Sequence, residues 1–259
     1  MRDIDESKAP LLDHLIELRK RLLICVWALF ISGAVCYYFS DKLLGFLIQP
    51  LKDGFGDAHG RLVYTKLYEA FFVELKVALF GAFFISFPIT ANQLWLFIAP
   101  GLYAKEKRAL LPFLLATPIL FVGGAAFAYY LVMPTAFHFF LKFQGEQGGL
   151  NVEALPSMDS YLSLVMQFIL AFGISFLLPV LVMLLNRAGI VSRAQLVGAR
   201  RYVIVGAVVV AAVLTPPDVI SQLMLAIPLC LLYELALIAI WFTDRREAKE
   251  RDRELVKTD

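Results

Sequence analysis

The chain has 259 residues, of which 60% are hydrophobic and only 18% are charged. Soluble domains are about 45–50% apolar and about 25% charged, so this composition excludes a disordered chain, a fibre, a disulfide scaffold and an ordinary soluble enzyme. The 24 lysines and arginines nearly balance the 22 acids, and the net charge of +2 gives no indication of a nucleic-acid partner. A membrane protein with several spanning segments remains.

The N-terminal segment, residues 1–21, carries five bases and five acids before any apolar run begins, which is unlike a signal peptide. Leu11, Leu15, Leu18 and Leu22 recur at helical spacing. The segment is therefore predicted to be an amphipathic helix at the cytoplasmic membrane surface.

Six apolar stretches follow, and a spanning helix needs about 20 mostly apolar residues. The fifth stretch is short, and a tight turn joins it to the sixth. The two are predicted to form a hairpin that stops before the far interface, unless flanking side chains simply reach out to it. The spans are predicted at residues 22–39, 70–92, 109–133, 160–185, 202–214 and 218–241.

The distribution of basic residues predicts the orientation. Eighteen of the 24 lysines and arginines lie in the two terminal segments and in the loops 92–108 and 186–201, whereas five lie in the opposite loops. The positive-inside rule then places both termini in the cytoplasm, and the external loops 40–68 and 134–159 are long enough to fold as a cap. The fold class is all-α, a single polytopic membrane domain (1–259) made of the N-terminal segment (1–21), a six-helix bundle (22–241) and a cytoplasmic tail (242–259).

Structural roles are expected for several residues within the spans. Glu69, Glu74 and Lys76, at the outer end of the second span, are expected to reach the interface or to pair locally. Gly124 and Ala128 form a pair of small residues four positions apart, which is typical of close helix packing. Kinks are expected at the prolines inside the spans, namely Pro88, Pro118, Pro179 and Pro228.

Catalysis is not expected, because the sequence contains no HExxH, GxSxG or P-loop motif. Cys25, Cys36 and Cys230 are far apart and have neither metal-ligand nor disulfide spacing, so no metal or other cofactor is predicted. A small-solute secondary transporter is the alternative function. Such a transporter requires charged groups near the bilayer midplane, whereas the polar groups of this chain cluster on the predicted cytoplasmic face.

Two short segments on that face carry the most specific information. Residues 14–21 directly precede the first span, and membrane anchoring explains their bases but not the acid Glu17. Residues 93–108 are apolar but contain Pro100 and Gly101, so they are predicted to turn along the membrane face and lead to Glu106. The alternative is that Glu106 only begins the third helix, favoured by the helix dipole.

These segments resemble the signatures of the TatC family, the signal-peptide receptor subunit of the twin-arginine protein translocase. The resemblance extends from about Leu11 to Trp241 over several motifs in the same order. It is carried by residues 14–21 (HLIELRKR), 97–106 (FIAPGLYAKE) and 214–218 (LTPPD), followed by Ser221 and Gln222.

The resemblance implies a function. TatC-like proteins bind N-terminal signal peptides that carry two adjacent arginines, and they act with the single-span proteins TatB and TatA under the proton-motive force. In the family, the positions matching Glu17 and Glu106 contact the arginine pair, and guanidinium groups bind carboxylates bidentately. The implied partners are TatB, TatA, the signal peptides of folded precursors, membrane lipid and further copies of the chain, with no nucleic acid, in the bacterial cytoplasmic membrane.

Roles for further residues come from the same resemblance. Arg19 is expected to keep the two carboxylates ionised and oriented, and Phe97, Pro100 and Tyr103 are expected to line the site. The residues matched to structural roles in the cap, the interior and the hairpin turn are Pro50, Tyr129, Pro216, Pro217 and Asp218.

The short hairpin is the docking edge for TatA and TatB in the family. Thr215 and Gln222 match polar positions there, and such side chains hydrogen-bond across helices at about 1 kcal/mol each. Hydrogen bonds within the chain are the alternative.

The sequence departs from the family in the fourth span. Most relatives have a glutamate or another polar residue just before a proline, where this chain has Leu177. A carboxylate inside the membrane is costly and usually functional, so its absence puts that role in doubt here. Gln167, nearly three turns and about 15 Å away, is the candidate for a polar substitute.

Overall fold

A computed structural model describes residues 3–55, 61–102, 107–147, 150–152, 154–215 and 219–258. This part of the chain is mainly helical, with one small antiparallel hairpin, which confirms the predicted helical fold class. In chain order the elements are α1 (Asp3–Tyr38), α2 (Ser40–Phe55), α3 (Glu69–Leu102), α4 (Lys107–Phe127), a π-helical turn (Ala128–Val132), α5 (Met133–Leu141), β1 (Gly145–Gln147), β2 (Leu150–Val152), α6 (Met158–Ser175), α7 (Leu178–Arg187), α8 (Arg193–Gly198), α9 (Arg200–Leu214) and α10 (Val219–Thr258).

Five helical segments among the described residues are long and apolar enough to cross a membrane. The remaining predicted span, the fifth in chain order, corresponds to α9, which has 15 residues. At about 1.5 Å per residue it is shorter than a hydrocarbon core of about 30 Å, so its crossing stays a prediction. The five segments are Leu15–Tyr38, Glu69–Phe97, Phe113–Leu141, Met158–Arg187 and Val219–Arg245.

The end of α3 differs from the sequence prediction. The helix was expected to end near residue 92, but it continues to Leu102 and includes Pro100 and Gly101, so the predicted break at these two residues is wrong. A proline in a helix removes one backbone hydrogen bond. Pro100 lies in the last turn of α3, so the missing hydrogen bond affects only the end of the helix.

The chain divides into two compact units. The first consists of Met1–Ile119 and Phe137–Met166, and the second of Leu120–Ala136 and Gln167–Asp259. In the first unit α1 packs along α3, and Cys36 is buried between the two helices. In the second unit the core lies where α6, α9, α10 and the π-helical turn meet, around residues such as Phe172.

The two predicted external loops are joined in the first unit. The Val63 amide donates to the Pro156 carbonyl at 3.2 Å, and the Met158 amide donates back to the Val63 carbonyl at 3.0 Å. The hydroxyl of the buried Tyr161 donates to the Leu47 carbonyl at 2.8 Å. The segments around α2 and before α6 therefore form one connected structure, as a cap requires.

Glu69 lies at the centre of this junction and is only 5% exposed. Its Oε2 accepts hydrogen bonds from the Thr65 amide at 2.6 Å, the Thr65 hydroxyl at 2.8 Å and the Lys66 amide at 3.1 Å. Its Oε1 accepts from the Asp159 amide at 3.0 Å, in the first turn of α6, where helices have unsatisfied amides and favour anions. The expectation that Glu69 pairs locally is confirmed.

Lys76 makes a second link between α3 and α6. Its ammonium group forms an ion pair with Asp159 and donates to the Ser163 hydroxyl at 3.2 Å. Both partners lie more than 80 positions away in the sequence. Lys76 is therefore paired, but with a residue of another helix and not locally along the chain, and the pair links α6 to α3 in the first unit.

In the second unit α4 and α6 approach unusually closely at Gly124. A Cβ atom at this position would lie 2.5 Å from the Phe172 carbonyl oxygen and 2.8 Å from the Phe176 side chain. A Cβ at Gly173 would lie 2.8 Å from the Phe121 ring. The close packing predicted from the small residues is confirmed.

Candidate functional site

The carboxylate of Glu17 is held by an arginine one helical turn later on α1. Arg21 Nε donates to Glu17 Oε1 at 3.1 Å, and Arg21 Nη2 contacts the same oxygen. The Nη1 of the same guanidinium donates to the backbone carbonyl of Gln93, on α3, at 3.4 Å. Arg21 therefore joins the Glu17 carboxylate to the C-terminal half of α3.

Within the described residues, the arginine hydrogen-bonded to Glu17 is Arg21 and not Arg19, whose expected role stays a prediction. Arg19 is exposed, and two residues along a helix it lies on a different side from Glu17. Arg21 is four residues from Glu17, a spacing at which side chains on a helix meet. That spacing was the signal in the sequence that could have identified the correct partner.

The C-terminal end of α3 is held on α4 by Trp95. The indole Nε1 donates to the Thr117 hydroxyl at 2.8 Å, and the Trp95 and Phe113 ring centroids are 6.0 Å apart. Thr117 in turn donates to the Phe113 carbonyl at 2.7 Å. Phe97 follows two residues later and is half-buried, so this contact positions the start of the predicted binding segment.

The other predicted members of this site are placed only in part. Pro100 lies in the last turn of α3, and its side chain is outside the described residues. Tyr103 and Glu106 also lie outside them. Within the first unit Arg21 thus links Glu17 to the backbone of Gln93, four residues before Phe97.

Replacing Thr117 by valine should destabilise the end of α3. Valine keeps the shape but leaves the buried Nε1 of Trp95 without its acceptor, at a cost of about 1–2 kcal/mol. Thermal denaturation of the detergent-solubilised protein measures the loss. Thr135→Val is the matched control, because the exposed Thr135 also donates to a carbonyl four residues earlier but accepts no indole hydrogen bond. Equal melting temperatures for the two variants would contradict the prediction.

The two residues expected to dock a partner helix each make a hydrogen bond inside the second unit. Thr215, which is buried, donates to the Ala211 carbonyl at 2.8 Å. The Gln222 amide donates to the Val208 carbonyl at 3.3 Å. Each side chain therefore makes a hydrogen bond within the chain, which was the alternative, and docking of a partner helix stays a prediction. The turn residues Pro216, Pro217 and Asp218 lie outside the described residues.

Gln167, the candidate for a polar substitute at position 177, makes a hydrogen bond inside the second unit. Its amide donates to the Leu214 carbonyl at 2.9 Å and so satisfies a carbonyl at the end of α9. Leu177 is half-buried and lies in the interruption between α6 and α7, with Pro179 in the first turn of α7. The helix is interrupted close to Pro179, where a kink was expected. The role of Gln167 as a polar substitute stays a prediction.

Two residues matched to structural positions are buried. Pro50 lies inside α2, and Tyr129 lies in the π-helical turn with its ring 4.9 Å from that of Tyr130. These placements suit the structural roles expected of both residues. Among the residues described by the structure, no cluster of three or more histidine, cysteine or acidic side chains is suited to hold a metal ion.

Comparison with known proteins decides the family. The model of the family described as Sec-independent protein translocase protein (TatC) matches residues 13–228. The chain belongs to the TatC family. The TatC protein of Magnetococcus marinus is 51% identical over 249 residues, covering 96% of this chain and 89% of the relative. The TatC protein of Escherichia coli K12 is 39% identical, covering 96% of this chain and 93% of its own length.

A solved TatC structure has the same fold. The crystal structure described as the twin-arginine translocase receptor TatC matches with a TM-score of 0.76 and 38% identity, over 87% of this chain and 98% of that one. Membership of the TatC family makes this chain a multi-pass membrane protein and a protein translocase component. It is a transport protein and does not belong to a known family of enzymes.

Proposed function

We propose that this chain is the receptor and scaffold subunit of a twin-arginine translocase in the bacterial cytoplasmic membrane. It binds the twin-arginine signal peptides of folded precursor proteins and, with TatB and TatA, transports those precursors using the proton-motive force. The observation that carries the proposal is the Glu17 carboxylate. Its side chain is 38% exposed on α1. Arg21 links it to the carbonyl of Gln93 on α3, four residues before the segment that begins at Phe97.

The chemistry of this site suits an arginine pair. A guanidinium group donates charge-assisted hydrogen bonds to a carboxylate, and the attraction is stronger at a partly desolvated surface than in water. Glu17 and Glu106 would each take one arginine. Phe97, Pro100 and Tyr103 would provide apolar walls for the neighbouring part of the peptide.

The same proposal includes the membrane arrangement. Both termini face the cytoplasm, α9 forms the short fifth span, and the α9–α10 hairpin receives the partner helices. Thr215 and Gln222 bond to those helices in addition to their bonds within the chain. An amide side chain has capacity for up to four hydrogen bonds, so the bond from Gln222 to Val208 is compatible with a partner. Further copies of the chain associate in the receptor complex, in contact with membrane lipid.

Replacing Glu17 by glutamine should weaken signal-peptide binding. Glutamine has nearly the same size but no charge, and the loss of a charge-assisted hydrogen bond is expected to lower the affinity about tenfold. Photo-crosslinking of a radiolabelled twin-arginine precursor to membranes that contain the full chain measures this change. Asp244→Asn is the control, because it removes one carboxylate from an exposed position near the end of the last candidate span. A crosslink of wild-type strength with Glu17→Gln would refute the proposed site.

A further inference from the structure

The pairing of Glu17 and Arg21 is asymmetric. Both contacts from the guanidinium, through Nε and Nη2, fall on the same carboxylate oxygen, Oε1. Within the described residues, Glu17 Oε2 makes no hydrogen bond. An ionised carboxylate has about four acceptor positions, two on each oxygen. Arg21 therefore occupies one oxygen of the carboxylate, and the other oxygen is available to a ligand.

Burial shows which member of the pair faces outward. The Arg21 side chain is 18% exposed, whereas that of Glu17 is 38% exposed. Arg21 is also bonded to the carbonyl of Gln93, 72 residues away, so it lies between α1 and α3. A ligand that approaches from solvent meets the carboxylate before it meets the resident arginine.

An ordinary pair of this spacing on a helix surface contributes little, because both side chains remain mobile and solvated. The bond from Arg21 to the Gln93 carbonyl makes this pair different. It fixes the guanidinium on a second helix, and the guanidinium in turn restricts the rotamer of Glu17. A carboxylate that is oriented before binding costs less entropy to engage.

We propose that Arg21 is a positioning residue that holds Glu17 by Oε1 and presents Oε2 to an arginine of the signal peptide. The carboxylate then bridges two guanidinium groups, one resident and one supplied by the ligand. Because the presented edge has a fixed direction, it favours a planar, forked donor over the compact ammonium group of lysine. This inference rests on the proposed function, since it assigns a role in the same binding site.

The test measures binding of two fluorescein-labelled peptides to the purified full chain in detergent. One peptide carries two adjacent arginines before a hydrophobic stretch, and the other carries two lysines in their place. For Arg21→Gln we expect about fivefold weaker binding of the arginine peptide and a smaller change for the lysine peptide. The preference for arginine should fall accordingly, which a purely structural role of Arg21 would not cause. Arg21→Lys retains the charge but not the fork, and it should give an intermediate preference.

A double-mutant cycle with Glu17→Gln provides the second measurement. If Arg21 acts through Glu17, adding Arg21→Gln to Glu17→Gln should change the affinity for the arginine peptide little further. Unchanged or tighter binding by Arg21→Gln, or full additivity in the double variant, would overturn the inference. These outcomes are distinct from failure of the proposed function, in which the wild-type chain itself would not bind the arginine peptide or Glu17→Gln would bind it normally.

Discussion

Replacing Glu69 by alanine should release the segment around Thr65 from the start of α6. The carboxylate accepts four hydrogen bonds. The donors are the amide and hydroxyl of Thr65, the amide of Lys66 and the amide of Asp159. Alanine removes all four hydrogen bonds, and bonds to a charged acceptor are among the stronger ones. Lys66 is exposed, so its tryptic cleavage reports on local opening of this segment. We expect cleavage at this site to become faster by on the order of a hundredfold.

Glu74→Ala is the matched control for this experiment. Glu74 lies on the same helix, five residues later, and is half-buried. Among the described residues it makes no hydrogen bond or ion pair. Its removal should therefore leave cleavage at Lys66 at the wild-type rate. If Glu69→Ala were cleaved no faster than Glu74→Ala, the carboxylate would not hold the junction.

Replacing Gly124 by alanine should destabilise the second unit by about 2–3 kcal/mol. The added methyl group would lie 2.5 Å from the Phe172 carbonyl oxygen, and a backbone atom cannot move aside by a change of rotamer. α4 and α6 would have to separate, with loss of packing around Phe176. The melting temperature of the purified protein in detergent should fall by about 5–10 °C.

The neighbouring glycine gives a control of opposite sign. A Cβ atom at Gly123 would meet no atom within 4 Å. Alanine is favoured over glycine inside a helix by up to about 1 kcal/mol, so Gly123→Ala should leave the melting temperature unchanged or raise it. A melting temperature for Gly124→Ala at or above that of the wild type would show that the two helices are not in tight contact at this position.

The apolar segments were predictable because hydrophobicity and length are local properties. The predicted short helix at residues 202–214 corresponds to α9, Arg200–Leu214. The helix is interrupted just before Pro179, where a kink was expected, because a proline ring disturbs the turn that precedes it. The end of α3 was not predictable in this way. Pro100 suggested a turn, but the helix continues through it to Leu102.

The candidate site was predictable only in part. Glu17 stood out as an acid among bases, and the family resemblance supplied its expected role. The correct partner, Arg21, follows from a spacing of four residues, which sequence reasoning passed over in favour of the nearer Arg19. The bond from Arg21 to Gln93 joins residues 72 positions apart and has no signal in the sequence.

The sequence by itself determined the class of protein, the positions of the apolar helices and the resemblance to the TatC family. It also identified Glu17 as a candidate binding residue. These depend on composition and short-range spacing. The tertiary structure decided which distant groups meet, such as Glu69 with an amide 90 residues later and Gln167 with the end of α9. Such pairs form because helix packing brings polar groups of distant segments within hydrogen-bonding distance, and packing depends on the whole chain.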